Sequence, residues 1–497
     1  MSVVSYDPVT GRENGRLEES TPAEVLAAVE RAVEVAEEVA GTAPAVRRAW
    51  LAAVADALEA EADDLIALGD SETGLGRPRL EAELARTAGQ LRFYGDVAAE
   101  GSYLGVTIDH AREAQPFLAR VQVPLGPVAV FGASNFPFAF SVLGNDTASA
   151  VAAGCPVVVK AHPAHPLLSQ ALGRIARSAL DAAGAPAGLF ALVSGRQAGI
   201  DLVQAPGIAA VAFTGSQAGG LALWRLANER ERVVPVFAEM GTVNPVVVTP
   251  GAMSRMAEIA AGFVGSFTLG SGQYCTKPGL MFAPAGSGAL DAVAAALRDA
   301  APRPVMLTAD IAAAVRTGLE ALVAAGAEVA GVVEAGADGW AAPAAVLGAP
   351  LREIRPGSRL LEECFGAVAL VVEYADEREL AAAVGRLQGS LAGSVFTADG
   401  PDEAAGRAMG MLSSRVGRVT VNDWPTGVAY SWAQQHGGPW PATSAPAATS
   451  VGAAALDRFV RPVAYQSARD EWLPPVARSD NPWSVPRRVD GVLQTAP

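Results

Sequence analysis

Four short segments hold the side chains best suited to chemistry. Cys275 lies in LGSGQYCTKPG, where Gly270, Gly272, Gly279 and Pro278 mark a tight loop rather than a helix interior. A thiol on such a loop is placed for access and nucleophilic attack; the alternative is a small buried hydrophobe, the commonest fate of a free cysteine. Glu239, in FAEMGTVNP, ends an apolar run. Desolvation there should raise its pKa towards a value useful for a general base, unless the side chain turns to solvent. Asn135, in FGASNFPF, follows a strand directly, and Pro137 interrupts helix continuation. Its amide could donate to an oxyanion or simply serve a turn. In FTGSQAGG (213–220), Gly215 and Ser216 open a helix and Gly220 follows. Helix N-termini gather phosphate, but this is not the GxGxxG fingerprint, and a glycine turn alone is weak.

These segments need a scaffold. The first hundred residues read as helix: Thr21-Pro22-Ala23-Glu24 is a capping box, apolar positions then recur at helical spacing, and further runs cover about 46–68 and 79–98. From Val128 short β-branched runs alternate with helical stretches: VAVFG (128–132), VVVK (157–160), LFALV (189–193), AAVAF (209–213) and VVPVFA (233–238). That rhythm predicts a parallel, doubly wound α/β sheet, whose ligands bind beyond the carboxyl ends of the strands. A second α/β region follows, with strands expected at 245–249, 279–283, 367–372, 393–397 and 418–422. The segment 101–123 and the tail after 455 read as irregular or alternating.

Composition narrows the class. The chain is 51% apolar and 18% charged, that of an ordinary globular protein. Its net charge of −15 argues against nucleic acid as a partner. No window approaches the roughly 18 apolar residues of a membrane span, and MSVVSYDPVTGREN lacks the pattern of a signal peptide. Three cysteines make no disulfide framework, so a cytoplasmic location is expected. Cys155 and Cys364 read as structural. His162 and His165 are separated by Pro163 with no third ligand near, and His436 sits in a Gly/Pro loop; no metal is expected.

Taken in order, Asn135 in NFP, Lys160 after VVV, FTGS at 213–216, Glu239 before MG and NP, Cys275 in GQYC, and Glu363, Phe365 and Gly366 in EECFG make nearly the whole chain resemble the aldehyde dehydrogenase superfamily. The resemblance implies a Rossmann-like cofactor domain (1–101 and 124–239), an α/β catalytic domain (240–454), an oligomerisation arm (102–123 and 455–472) and a C-terminal tail (473–497). It implies Cys275 as nucleophile forming a thioester, Asn135 with the Cys275 N–H as oxyanion hole, and Glu239 as the base that activates water. Lys160 and Glu363 would hold the two riboses, Ser216 with its glycine turn the pyrophosphate, and Phe365 would pack near the nicotinamide.

AGCPVVVKAHPAHP, GQYCTKPG, WPTGV, QHGGPWPATS, RFVRPVAYQ and DNPWSVPRRVDG look like the 2-oxoglutarate semialdehyde (2,5-dioxopentanoate) dehydrogenase branch, close to the NADP-dependent fatty aldehyde dehydrogenases. Two departures from the general pattern, Met240-Gly241-Thr242 after Glu239 and Ala367 in EECFGA, remove no chemical group. NAD-preferring relatives often carry Glu where this chain has Pro163, so NADP is favoured over NAD, with Arg196 as a positive contact. Phe136, Phe140, Leu143 and Tyr274 would line the entrance, and Thr426, Thr443 or Ser444 could grip a far carboxylate. A homodimer or homotetramer is expected, joined through the alternating 120–123 and 458–466 strands. Alternatives are a fatty aldehyde dehydrogenase, an acylating enzyme using coenzyme A (opposed by a base at Glu239), and a non-catalytic binding protein on this fold.

Overall fold

The computed structural model describes residues 2–495. It opens on a hairpin, β1 (Ser2–Tyr6) against β2 (Glu13–Glu18), where helix was expected. The hairpin is held from outside its own strands: the Ser5 hydroxyl donates to the buried carboxylate of Glu72, which also accepts the Leu167 and Leu168 N–H groups. Helix α1 (Pro22–Gly41) starts with the predicted capping box on Thr21 and Glu24. The 46–68 run is two helices, α2 (Pro44–Ala60) and α3 (Ala62–Thr73), broken at Glu61, and α4 (Arg77–Glu100) follows.

After β3 (Thr107–Asp109) and β4 (Leu118–Pro124), the chain builds the first α/β layer. Its elements are β5 (Val128–Phe131), α5 (Asn145–Ala153), β6 (Val157–Lys160), α6 (Pro166–Ala182), β7 (Phe190–Val193), α7 (Arg196–Gln204), β8 (Ala210–Gly215), α8 (Gln217–Asn228) and β9 (Val236–Met240). The strands are parallel in the order β7-β6-β5-β8-β9. The central β5 is apolar throughout because helices cover both faces. The order reverses beside β5, so its carboxyl end opens a crevice between crossovers running opposite ways.

A seven-stranded sheet follows, built from β10 (Pro245–Val248), β11 (Leu280–Pro284), β12 (Glu328–Val333), β13 (Ala344–Gly348), β14 (Val368–Tyr374), β15 (Ser390–Phe396) and β16 (Val416–Val421). Its order is β12-β13-β14-β11-β10-β15-β16, antiparallel only at β12–β13. Helix α9 (Met256–Thr268) packs its apolar face on this sheet just before the cysteine loop.

The third sheet joins β17 (Val460–Gln466) antiparallel to β4, then β3, β18 (Arg487–Val489) and β19 (Val492–Gln494). The segment after 455, expected as irregular or alternating, therefore contributes β17, β18 and β19 to this sheet. Positive φ at Asn481 (40°) and Ser484 (51°) turns the chain back, and three-residue strands are too short to show an alternation. Among the described residues no helix is long and apolar enough to cross a membrane.

Candidate active site

The cysteine loop is held by close backbone approach and by one asparagine. Beyond α9 the chain passes through three left-handed residues, Gly270, Ser271 and Gly272 (φ 55°, 62° and 73°). A Cβ on Gly272 would run into the backbone of Gly366, so the loop lies directly on the Glu363 segment. Asn244, itself left-handed (φ 52°), donates Nδ2 to the carbonyls of Cys275 (2.7 Å) and Lys277 (3.0 Å), while its Oδ1 accepts the Ala392 N–H. Buried Lys277 donates to the carbonyls of Cys364 (2.7 Å) and Val368 (2.8 Å). Cys275 is thus fixed in place yet partly open, whereas Cys155 and Cys364 are buried.

Glu239 is the penultimate residue of β9 and 3% exposed. The segment from 436 to 450 lies along this strand: the Met240 N–H bonds the Ala442 carbonyl, the Ser444 N–H bonds the Ala238 carbonyl, and Glu239 bridges to Thr443. That pairing delivers His436 and Ser450. His436 Nε2 is 3.0 Å from Glu239 Oε2 and 3.6 Å from Cys275 Sγ, and the Ser450 hydroxyl donates to the same Oε2 at 2.8 Å. His436 Nδ1 has no partner among the described residues, so Nε2 is the ring nitrogen that can donate to Glu239 and Cys275.

Burial alone would raise the Glu239 carboxyl, as expected from its apolar run. The structure corrects that expectation: the charge and hydrogen bonds of His436, with those of Ser450 and Cys275, outweigh desolvation and hold it below its ordinary value. The Cys275 thiol is pushed well up, by burial first and then by the carboxylates of Glu239 and Glu363. One imidazole N–H between sulfur and carboxylate can stabilise whichever is the anion. Ligand-capable atoms of Glu239, Cys275 and His436 lie within 4.8 Å of one another, a grouping able to hold a metal ion. The histidine spacing considered in the sequence could not suggest it, because Cys275 and His436 are 161 positions apart.

Asn135 is buried early in the loop that follows β5. Its Nδ2 spends one hydrogen on the Gln273 carbonyl (2.7 Å), leaving the second for a ligand. One face of α4 supports it. Arg79 donates to the Asn135 carbonyl (2.7 Å), and Glu83 accepts the Phe138 and Ala139 N–H groups. Phe136 packs on Phe140 (5.3 Å) and Tyr274 (5.1 Å), so these three expected pocket residues form one aromatic group. Leu143 is a correction: it is 2% exposed and packed in the largest core, because the chain has already turned inward towards α5. Thr426, Thr443 and Ser444 are engaged by the fold: Thr426 pairs with Ser266, and the other two are pinned along β9.

A cleft of about 770 Å³ runs from the carboxyl ends of β5, β6 and β8 to the thiol. Lys160, Gly215, Ser216, Glu363, Phe365, Asn135 and Cys275 all line it. Ser216 caps α8 by accepting the Gly219 N–H (3.2 Å). Gly219 lines the cleft; Gly220 instead lies against Met240, where a Cβ would collide with the thioether, and so permits helix–sheet packing. Burial brings Lys160 down to about 8, with Glu19 opposing the shift. Glu363 is raised by burial to about 7, and its Oε1 has no partner among the described residues. Gly241 leaves the space this carboxyl occupies. An unsatisfied carboxyl oxygen, a strand-end lysine and a helix N-terminus fit a dinucleotide with two riboses and a pyrophosphate. Pro163 lines the cleft, while Arg196 is exposed at the first turn of α7 and does not line it.

A Rossmann-type layer whose cleft ends on a thiol belongs to oxidoreductases that work through a covalent adduct. The chain belongs to the aldehyde dehydrogenase family, which its residues 1–439 match. It is 45% identical over 485 residues to the alpha-ketoglutaric semialdehyde dehydrogenase 2 of Azospirillum brasilense, covering 93% of this chain and 91% of that one. It is 37% identical over 432 residues to the alpha-ketoglutaric semialdehyde dehydrogenase of Acinetobacter baylyi, covering 85% and 82%. The aldehyde dehydrogenase of Bacillus cereus, solved as an NAD+ complex, superposes with a TM-score of 0.80 over 94% of this chain and 93% of that one; at 21% identity this shows the shared fold.

Proposed function

We propose that this protein oxidises 2,5-dioxopentanoate to 2-oxoglutarate with NAD(P)+, through a thiohemiacetal and a thioester on Cys275. The observation carrying this reading is that Cys275 and Asn135, with its free amide hydrogen, line one end of the cleft, while the Glu239 carboxylate lies within 4.8 Å of the thiol sulfur behind it. The likeness to two dehydrogenases named for this semialdehyde supplies the substrate.

Cys275 Sγ attacks the aldehyde carbon as its proton passes to Glu239, and the His436 N–H turns to whichever group is the anion. The new alkoxide lies between Asn135 Nδ2 and the Cys275 N–H, which has no acceptor among the described residues. A bound nicotinamide supplies the acceptor for the hydride that leaves this carbon. Lys160, Ser216, Glu363 and Phe365 hold and orient that cofactor. Once Glu239 has released the thiol proton to solvent, it takes a proton from the water that attacks the thioester. The tetrahedral adduct expels the sulfur, which regains that proton from Glu239 as the carboxylic acid product ionises and leaves.

NADP+ is favoured over NAD+, because Pro163 offers no carboxylate to repel a 2′-phosphate; Arg196, being exposed, adds little support. Subunits associate as a homodimer or homotetramer through the β4–β17 sheet, whose end strand β19 exposes Val492 and Leu493. Free cysteines suit a cytoplasmic setting.

Purified protein mixed with dioxopentanoate and NADP+ or NAD+ should raise absorbance at the reduced nicotinamide band, and Cys275→Ser should not. A higher kcat/KM for decanal would overturn the substrate in favour of a fatty aldehyde. Acyl-CoA formed on adding coenzyme A would overturn hydrolysis, and silence of the wild type across an aldehyde panel would leave a binding protein. Light scattering on the eluting peak reads the subunit number.

A further inference from the structure

Three cations stand close to the thiol and its aromatic surroundings, and two are engaged. Arg79 donates to the Asn135 carbonyl and lies over the rings of Phe136 (5.0 Å) and Tyr274 (4.8 Å). Arg418 donates Nη2 to the carbonyls of Pro425 and Gly427. Arg86 makes no hydrogen bond and no ion pair among the described residues, and its Nε and Nη2 are buried without a partner. Its guanidinium faces Phe140 (5.6 Å) and Tyr430 (6.0 Å). Phe140 in turn lies 6.4 Å from the His436 ring, whose Nε2 is 3.6 Å from Cys275 Sγ. Arg86 is therefore one aromatic ring from the Cys275–His436–Glu239 group.

Glu83, its neighbour one turn earlier on α4, opposes the effect of burial on Arg86 by its charge but makes no ion pair with it, and spends Oε1 on two backbone N–H groups. A desolvated guanidinium without an acceptor is unfavourable, and the group that best relieves it is a planar carboxylate, which can take two parallel N–H bonds. Burial accordingly lowers the Arg86 pKa. A five-carbon 2-oxo acid presents that carboxylate about 5 Å from its aldehyde carbon, and the Phe136–Phe140–Tyr274 group suits the methylenes between.

We infer that Arg86 is the anchor for the far carboxylate of the substrate, setting the enzyme's preference for an aldehyde that carries one. The inference rests on the substrate reading above, and the test separates the two. It compares kcat/KM for dioxopentanoate with that for pentanal, an uncharged aldehyde of equal length, in the wild type, Arg86→Gln and Arg86→Lys. In Arg86→Gln the dioxopentanoate/pentanal ratio should fall about a hundredfold. Most of the fall should appear in KM. Arg86→Lys should recover part of it, and inhibition by 2-oxoglutarate should weaken in parallel.

A wild type without preference for dioxopentanoate defeats the substrate reading. A preference that survives Arg86→Gln defeats the anchor alone. Equal losses for both aldehydes would make Arg86 a packing partner of Phe140 and Tyr430, and would also overturn the anchor. Should Arg86→Gln fail to fold, the ratio in Arg86→Lys decides, since that change keeps the charge and loses the planar fork: an unchanged ratio overturns the anchor.

Discussion

Replacing His436 with alanine tests the triad most directly. Its Nε2 stands 3.0 Å from Glu239 Oε2 and 3.6 Å from Cys275 Sγ, so a single N–H serves both. Without it Glu239 keeps only the Ser450 hydroxyl and the neighbouring Cys275 thiol. A hydrogen bond to a charged group contributes about 1.5–3 kcal/mol, and a fully buried one lies at the upper end. A loss of about 3 kcal/mol in the step that forms the thiolate adduct corresponds to on the order of 150-fold in rate. The burst of reduced cofactor should slow by about that factor. The thiol, already pushed up by burial and by two carboxylates, loses its donor and should titrate higher still. Alkylation of Cys275 by iodoacetamide, followed against pH, should therefore need more alkaline solution in His436→Ala than in wild type. With an unchanged thermal midpoint as the check on folding, a burst and an alkylation profile within twofold of wild type would refute the reasoning.

Three further outcomes follow from the same geometry. Glu239→Gln removes the acceptor of both the thiol proton and the water proton, so the burst of reduced cofactor and steady-state turnover should each fall by about a hundredfold or more; rates unchanged in both would rule Glu239 out as the base. Asn244→Ala strands the carbonyls of Cys275 and Lys277 and removes the polar side chain that eases asparagine into the left-handed region, costing about 2–4 kcal/mol in urea unfolding; a smaller loss with full activity would show the loop is held elsewhere. Glu363 should make cofactor binding pH-dependent: its carboxyl, raised to about 7, is protonated below that pH, whereas ribose hydroxyls donate best to the carboxylate. Calorimetric Kd should rise from pH 8 to pH 6, by up to about tenfold per unit below 7, and the slope should vanish in Glu363→Gln.

Much of this site was legible because each group sits in a short segment whose neighbours declare its setting. Gly270, Gly272 and Pro278 announce the loop that presents Cys275, and β-branched runs announce the strand that ends on Lys160 and the strand that carries Glu239 next to its end. What was not legible lies across the fold. The residues Arg79, Glu83 and Arg86 do share a helical face, but charges at helical spacing read equally well as a solvated surface. Only the loop after β5 turns that face inward. Gly219 and Gly220 are adjacent and alike in sequence, and only the position of Met240 decides which of them faces the cleft.

The carboxyl of Glu239 shows where such reading reaches its limit. The apolar run before it, VVPVFA, correctly announces burial, and burial by itself raises a carboxylic acid. The direction of the shift is nevertheless set by donors, and both arrive late in the chain, on a segment rich in Gly, Pro and Ala with no period to mark it. His436 and Ser450 reach Oε2 because backbone groups of 442–444 pair with β9, a bond pattern indifferent to side chain and so invisible in residue types. A local motif can therefore name a catalytic group and predict its desolvation, while its protonation is decided by whatever the tertiary fold lays beside it. For a thioester cycle that difference matters: an ionised Glu239 can take the thiol proton in the first half and, after giving it up to solvent, the water proton in the second, whereas a carboxyl held neutral throughout could do neither.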